Sequence, residues 1–273
     1  MFEGRVQKSM LGSGRNMLRL IYHNTVRSVR KTHGNALAAL GINIMQSVIM
    51  VAVFYAMFTV LGLRGMAVRG DFLLYIMSGI FLFLTHIKAI GAVLGAEGAT
   101  SSMMNHLNMN TAIAICSAAL GVLYIQTLTV ILILFFYNAG WGPIEIYDPK
   151  GAYAMLLLAW FTGSAIGMLF FALKPWAPQF VSILSQLLQR ANMIASGKMF
   201  LANTLPAYML AMFDWNPLFH TIDQARGFAF INYNPHFSSV SYPIYVGLAC
   251  VTLGLMGEFY TRKHSSQSWN AKR

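Results

Sequence analysis

Six stretches of this chain, at about 36 to 61, 71 to 96, 110 to 138, 151 to 173, 179 to 200 and 240 to 260, are mostly apolar over the length of a membrane span. About 20 such residues in a helix cross the roughly 30 Å hydrocarbon core of a bilayer, and within lipid a spanning helix satisfies its own backbone hydrogen bonds. The 273 residues are 57% hydrophobic and only 10% charged, with mean hydropathy +0.57. Soluble domains carry roughly 25% charged residues, so this chain lacks the charge to cover a water-facing surface. The expected fold class is therefore an all-α integral membrane protein with six transmembrane helices. The fifth run is the most interrupted, with Lys174, Pro175 and Pro178 just before it and polar residues within it.

The formal charge of +11 would suggest nucleic-acid binding on a soluble protein, but here the cations gather mainly at the chain ends. No nucleic-acid partner is expected. Arg5, Lys8, Arg15, Arg19, Arg27, Arg30 and Lys31 precede the first apolar run against the single acid Glu3, and Arg262, Lys263, Lys272 and Arg273 follow the last. Positive-inside counting puts both ends in the cytoplasm and requires an even number of spans. The first run is too long for a signal-peptide core and lacks an obvious cleavage motif. The layout is then a basic segment 1–35, a transmembrane domain 36–260 and a tail 261–273.

Within the basic segment Met17, Leu18, Ile21, Tyr22, Thr25, Val26 and Val29 recur near helical spacing while the cations fall largely elsewhere. That pattern predicts an amphipathic helix on the cytoplasmic leaflet, in contact with membrane lipids. Residues 62–70 and 139–150 are expected outside, where Trp141 and Tyr147 suit the interface, and 97–109 and 174–178 inside. The stretch 201–239 is too broken by Pro206, Asp214, Pro217, Asp223 and Pro235 to span, and short external or re-entrant helices are expected there. In it Asn216 and Pro217 read as N-cap and first helical residue, and Asp223 with Arg226 as an i, i+3 pair.

Catalytic residues are not expected. The chain has no HExxH, GxSxG or paired carboxylates, its seven histidines lack metal spacing, and Cys116 and Cys250 sit in apolar runs as packing residues. Gly197-Lys198 is no Walker A loop: Asn192 stands where the first glycine belongs and Met199 where Ser or Thr is needed. No cofactor or metal is expected on this chain.

Ionisable residues within spans need a reason, because hydrocarbon disfavours them. Arg190, mid-way along the fifth run, is a candidate for a water-filled path; Lys88 either lines such a path or snorkels; Lys198 reads as an interface anchor or a third path residue. Glu258 and Arg262 are spaced as an i, i+4 pair. Trp160, Phe161, Phe170, Phe171, Trp176 and Phe180 cluster around the fourth and fifth spans and read first as packing residues, while Gly91 with Gly95, and Gly163 with Gly167, permit close helix approach.

Residues 196 to 228 resemble the end of the fifth helix and the external helices of type-2 ABC exporter permeases of the polysaccharide and polyol-phosphate (capsular polysaccharide) branch. There an "SG.F" stretch precedes a proline and an "NPL.H.I...R" motif, matched here by Ser196, Gly197, Phe200, Pro206, Asn216, Pro217, Leu218, His220, Ile222 and Arg226, with Asp223 as the acid after the Ile. The segment 97–110 departs from the pattern in being neutral and rich in Met, Asn and Ser. The resemblance implies a homodimer of six-helix subunits in a bacterial inner membrane, paired with two separate cytoplasmic ATPase subunits that bind ATP and Mg, and open to a periplasmic polysaccharide-export partner. It also implies that the cytoplasmic loop 97–110, with Thr100, Ser101, Ser102, Met103, Met104, Asn105 and His106 at its core, couples ATPase movement to the membrane, and that Lys88, Arg190 and Lys198 lie toward the route of a lipid-linked or capsular polysaccharide; cations on that route would suit an anionic polymer. The alternatives are a gradient-driven small-solute transporter and a non-transport scaffold for a cytoplasmic enzyme.

Overall fold

The computed structural model describes residues 10–31, 35–62, 71–98 and 110–264, and among them every regular element is helical. The helices are α1 (Met10–Lys31), α2 (Ala36–Val60), α3 (Phe72–Leu94), α4 (Thr111–Gly140), α5 (Pro149–Leu173), α6 (Pro178–Ala195), α7 (Ala207–Phe213), α8 (Pro217–Ala229) and α9 (Ser241–His264), with a 3-10 turn at Ala202–Thr204. Several of their starts follow from short polar side chains that accept orphan backbone N–H groups. Asn35, Asp71, Asn110 and Asp148 cap α2, α3, α4 and α5, and Pro149 occupies the first turn of α5, where its missing donor costs nothing.

Five of these helices, α2, α3, α4, α5 and α9, are long and apolar enough to cross a membrane. The chain is thus a multi-pass helical membrane protein. The fifth expected span is not among the five: α6 stops at Ala195 rather than 200, and Gln179, Ser182, Ser185, Gln186, Gln189, Arg190 and Asn192 make it amphipathic. The last helix runs on to His264, beyond the expected 260.

The most enclosed helix is α3, which packs against α2, α4, α5 and α8. Its crossing with α5 is set by two glycines. A Cβ on Gly163 would lie 2.4 Å from the His86 carbonyl oxygen, and one on Gly167 2.8 Å from that of Ile90. Ala89, Ile90 and Val93 are accordingly sealed at 0% exposure. Parallel to α5 runs α9, where Gly247 faces Phe161, Gly254 faces Met168, and the Thr261 hydroxyl donates to the Ala172 carbonyl at 3.0 Å. The Trp160 and Trp176 indoles donate to the Ala119 carbonyl and the Thr261 hydroxyl, so both pin neighbouring helices. Phe170 and Phe171 are buried, Trp160 is half-buried, and Trp176 and Phe180 are exposed.

Helix α1 packs on α4 through Ile21, Thr25, Ser28 and Val29, with the Ser117 hydroxyl donating to the Ile21 carbonyl at 3.2 Å. The apolar residues assigned to one face divide, because Leu18, Tyr22 and Val26 remain exposed. Cys116 is exposed and Cys250 half-buried, so neither is a core packing residue.

Candidate functional site

The inner surfaces of α1, α2, α3 and α4 leave a groove of about 850 Å³. At its deep end lies a polar cluster of a kind that spans rarely hold. Asn43 on α2 donates from Nδ2 to Gln126 Oε1 at 2.7 Å and to Thr129 Oγ1 at 3.0 Å, both on α4. Its Oδ1 accepts from the Lys88 ammonium of α3, which also donates to Gln46 Oε1 at 2.9 Å. Three of Asn43's four hydrogen-bonding positions are thereby used, which holds the carboxamide in one orientation. Asn43, Gln126 and Thr129 are 5%, 2% and 1% exposed, so this network ties α2, α3 and α4 together where an unpaired amide would be costly.

Lys88 is therefore bonded into the groove wall rather than extended toward the interface. Two of its three ammonium donors are engaged. Gly91 and Gly95 line the groove on α3, and Asn24, Arg27 and Ser28 line it on α1. A Cβ on Gly91 would meet nothing within 4 Å. The two GxxxG pairs thus differ: Gly163 and Gly167 close a helix crossing, and Gly91 faces open space.

A second polar centre joins the end of α6 to α8. Gly197, with φ +74, ends α6 in the left-handed region, and a Cβ there would lie 2.7 Å from the Phe219 ring. The turn it begins is gripped by Arg226, whose Nη1 donates to the carbonyls of Gly197 at 2.8 Å and Phe200 at 2.6 Å, and whose Nη2 donates to that of Lys198 at 2.6 Å. The guanidinium stacks on the Tyr75 ring, 4.2 Å from its centroid, at 0% exposure. Asn216 caps α8 through Leu218 N and donates to Asn192 Oδ1 at 2.8 Å and to the Ala195 carbonyl at 3.0 Å, with Pro217 in the first turn of α8 as expected.

Asp223 does not pair with Arg226. Its carboxylate accepts from Ala202 N at 3.3 Å, Ser238 Oγ at 2.7 Å and the Tyr233 hydroxyl, because the two side chains leave α8 toward different loops. Burial, and then the Asp223 charge, push the Tyr233 phenol above its usual range. His220 is a neutral strut: Nδ1 accepts from Ser239 N at 3.0 Å, so Nε2 carries the proton donated to the Asp214 carbonyl at 2.6 Å.

The three path cations are not brought together. Arg190 is exposed on α6, although its neighbour Gln189 borders the groove. Lys198 is no interface anchor: it is 3% exposed, with its ammonium 3.5 Å from the Phe83 ring centroid and 5.1 Å from that of Phe54. The turn held by Arg226 aims it inward. Glu258 does not join Arg262, and its Oε1 is buried without a hydrogen-bonding partner. Thr100, Ser101, Ser102, Met103, Met104, Asn105 and His106 lie outside the described residues. Asn43, Gln46, Gln126 and Thr129 escaped the sequence reading, which weighed only ionisable groups within spans. Their signal was the i, i+3 spacing of two polar pairs inside apolar runs.

Among known proteins, no family model matches the chain and no curated protein matches it.

Proposed function

We propose that the chain is the membrane subunit of an ATP-driven exporter of a lipid-linked or capsular, anionic polysaccharide in a bacterial inner membrane. The observation that carries this reading is the physical unity of the residues bearing the resemblance. Spread over thirty positions, Gly197, Phe200, Asn216, Asp223 and Arg226 bond across one knot between α6 and α8, as a co-inherited signature would require. In this reading two copies pair, and α6, exposed and amphipathic alone, is the fifth of six spans with its polar face on a shared path. Arg190 then meets the polyanion there, Lys88 lies behind it in the groove, and Lys198 holds the outer end of the path in place. ATP and Mg bind two separate ATPase subunits, which act through 97–110 and α1, and a periplasmic export partner receives the polymer.

Affinity purification of the full chain followed by mass spectrometry tests the reading. It predicts a co-purifying ATPase, stimulated on reconstitution, and loss of that stimulation in Met104→Asp, because a charge in a desolvated docking contact costs several kcal/mol. Purification without any ATPase sinks the proposal.

A further inference from the structure

Helix α7 turns an apolar face away from the protein. Its seven residues, Ala207–Phe213, include no charged side chain. Phe213 packs inward, its ring centroid 5.1 Å from that of Phe200 and 6.5 Å from that of Phe219. Elsewhere on the wheel Tyr208, Met212 and Trp215 recur at i, i+4 and i+7, the spacing of one helical face, and are 72%, 61% and 55% exposed. The polar atoms of this face are already disposed for hydrocarbon. The Trp215 indole N–H donates to the Met212 carbonyl at 2.7 Å, and the Met212 thioether has little need of a hydrogen bond. The Tyr208 hydroxyl, at the other end of α7, stays exposed.

The depth of the face follows from its tie to a span. Tyr242, in the first turn of α9, donates from its hydroxyl to the Trp215 carbonyl at 2.7 Å, and its ring centroid lies 4.7 Å from that of His220. With 24 residues α9 is about 36 Å long at 1.5 Å per residue, so a hydrocarbon core of about 30 Å leaves its ends at headgroup level. Trp215 is thereby held at a membrane boundary, the one away from Arg262 and Lys263 in the last turn of α9. Tyrosine and tryptophan concentrate at that level, where one end of the ring meets hydrocarbon and the other meets water.

We infer that Tyr208, Met212 and Trp215 embed α7 in the lipid interface at the Tyr242 end of α9. The Met212 and Trp215 side chains enter the acyl region, and the Tyr208 hydroxyl meets headgroups. Asn216, next in the chain, bonds to Asn192 and to the Ala195 carbonyl, so the anchor also fixes the end of α6 at that depth. The inference needs only a chain that crosses the bilayer and is independent of the exporter reading. A chain that binds no ATPase can still hold α7 in lipid.

The test uses the full chain with Cys116 and Cys250 replaced by serine, reconstituted into vesicles of phosphatidylethanolamine and phosphatidylglycerol. Single cysteines at 212 and 215 carry a nitroxide, and power-saturation EPR compares collisions with oxygen, which favours hydrocarbon, and with a neutral nickel chelate, which favours water. Leu253, exposed mid-way along α9, is the lipid reference, and Asn232, exposed in the loop before α9, is the aqueous one. The oxygen-to-nickel ratio at 212 and 215 is expected to lie several-fold above that at 232 and below that at 253, as an interfacial depth requires. Position 212, whose side chain makes no hydrogen bond, still decides if loss of the Trp215 indole disturbs the turn. A ratio equal to that at 232 leaves α7 in water and overturns the inference. Low collision with both reagents also overturns it, because a second copy of the chain, the only other protein present, then covers the face.

Discussion

Arg226 brings a full charge to 0% exposure and offers it three backbone carbonyls, two of them on a turn that glycine alone enters easily. A lysine keeps the charge but lacks the planar fork that reaches three acceptors at once. Arg226→Lys is expected to cost about 2 to 4 kcal/mol, seen as a lower midpoint of thermal unfolding in detergent; a midpoint equal to wild type would show that the turn does not depend on the guanidinium. Gly197→Ala should cost at least about 1 kcal/mol through its left-handed φ, with the 2.7 Å approach to Phe219 adding to it. In the groove, Asn43→Leu strands the Gln126 carbonyl and part of the Lys88 ammonium. A loss of about 2 to 3 kcal/mol is expected, and Gln126→Leu in the same chain should recover part of it, because the amide left unpaired is then gone too. Additive losses would mean that the two amides are not coupled.

The elements differ in how firmly they are held. The α3–α5 crossing is a glycine contact with no slack, so Gly163→Val must push the helices apart against His86 and Ala89. Such overpacking costs about 1 to 3 kcal/mol or prevents folding. Gly91→Ala, one face away on α3, should leave stability unchanged or raise it slightly by its helix propensity. Comparing the two unfolding midpoints tests the assignment of one GxxxG pair to packing and the other to the groove. Helix α6 lies at the opposite extreme. It touches the bundle through Val181, set among Ile90 and Phe170, and through the buried Ser185 and Asn192, and exposes Phe180, Ile183, Leu187 and Ile194. An amphipathic helix with so little cover gains its stability from whatever lies against its outer face.

At the scale of the whole molecule, charge asymmetry at the chain ends sets the expected orientation. With Cys116 and Cys250 replaced by serine, single cysteines near Ser9 and Ser268 should react with an impermeant thiol reagent only from the cytoplasmic side, and one at Asn232 only from outside. Labelling of position 232 from the cytoplasm would mean an even number of crossings up to that point, four if α6 does not cross. The count of spans then rests on α6, the expected span whose apolar content is weakest.

Apolar run length by itself determined where α2, α3, α4, α5 and α9 lie, because a membrane helix must bury about 20 residues in hydrocarbon whatever its neighbours do. The Asn216-Pro217 start of α8 was equally legible, since capping is a local bargain between a side chain and the next two residues. What Asp223 and Arg226 bond to was not: i, i+3 spacing permits a pair, but buried loops on either side of α8 offered each of them orphaned backbone or hydroxyl partners, and desolvation makes those partners decisive. The roles of Lys88 and Lys198 were undecided for the same reason. Both sit in apolar sequence as lone cations, and only the tertiary arrangement set one against Asn43 and Gln46 and closed the other between Phe54 and Phe83. A cation's local sequence records the cost of burying it, whereas the groups that offset that cost come from helices elsewhere in the chain.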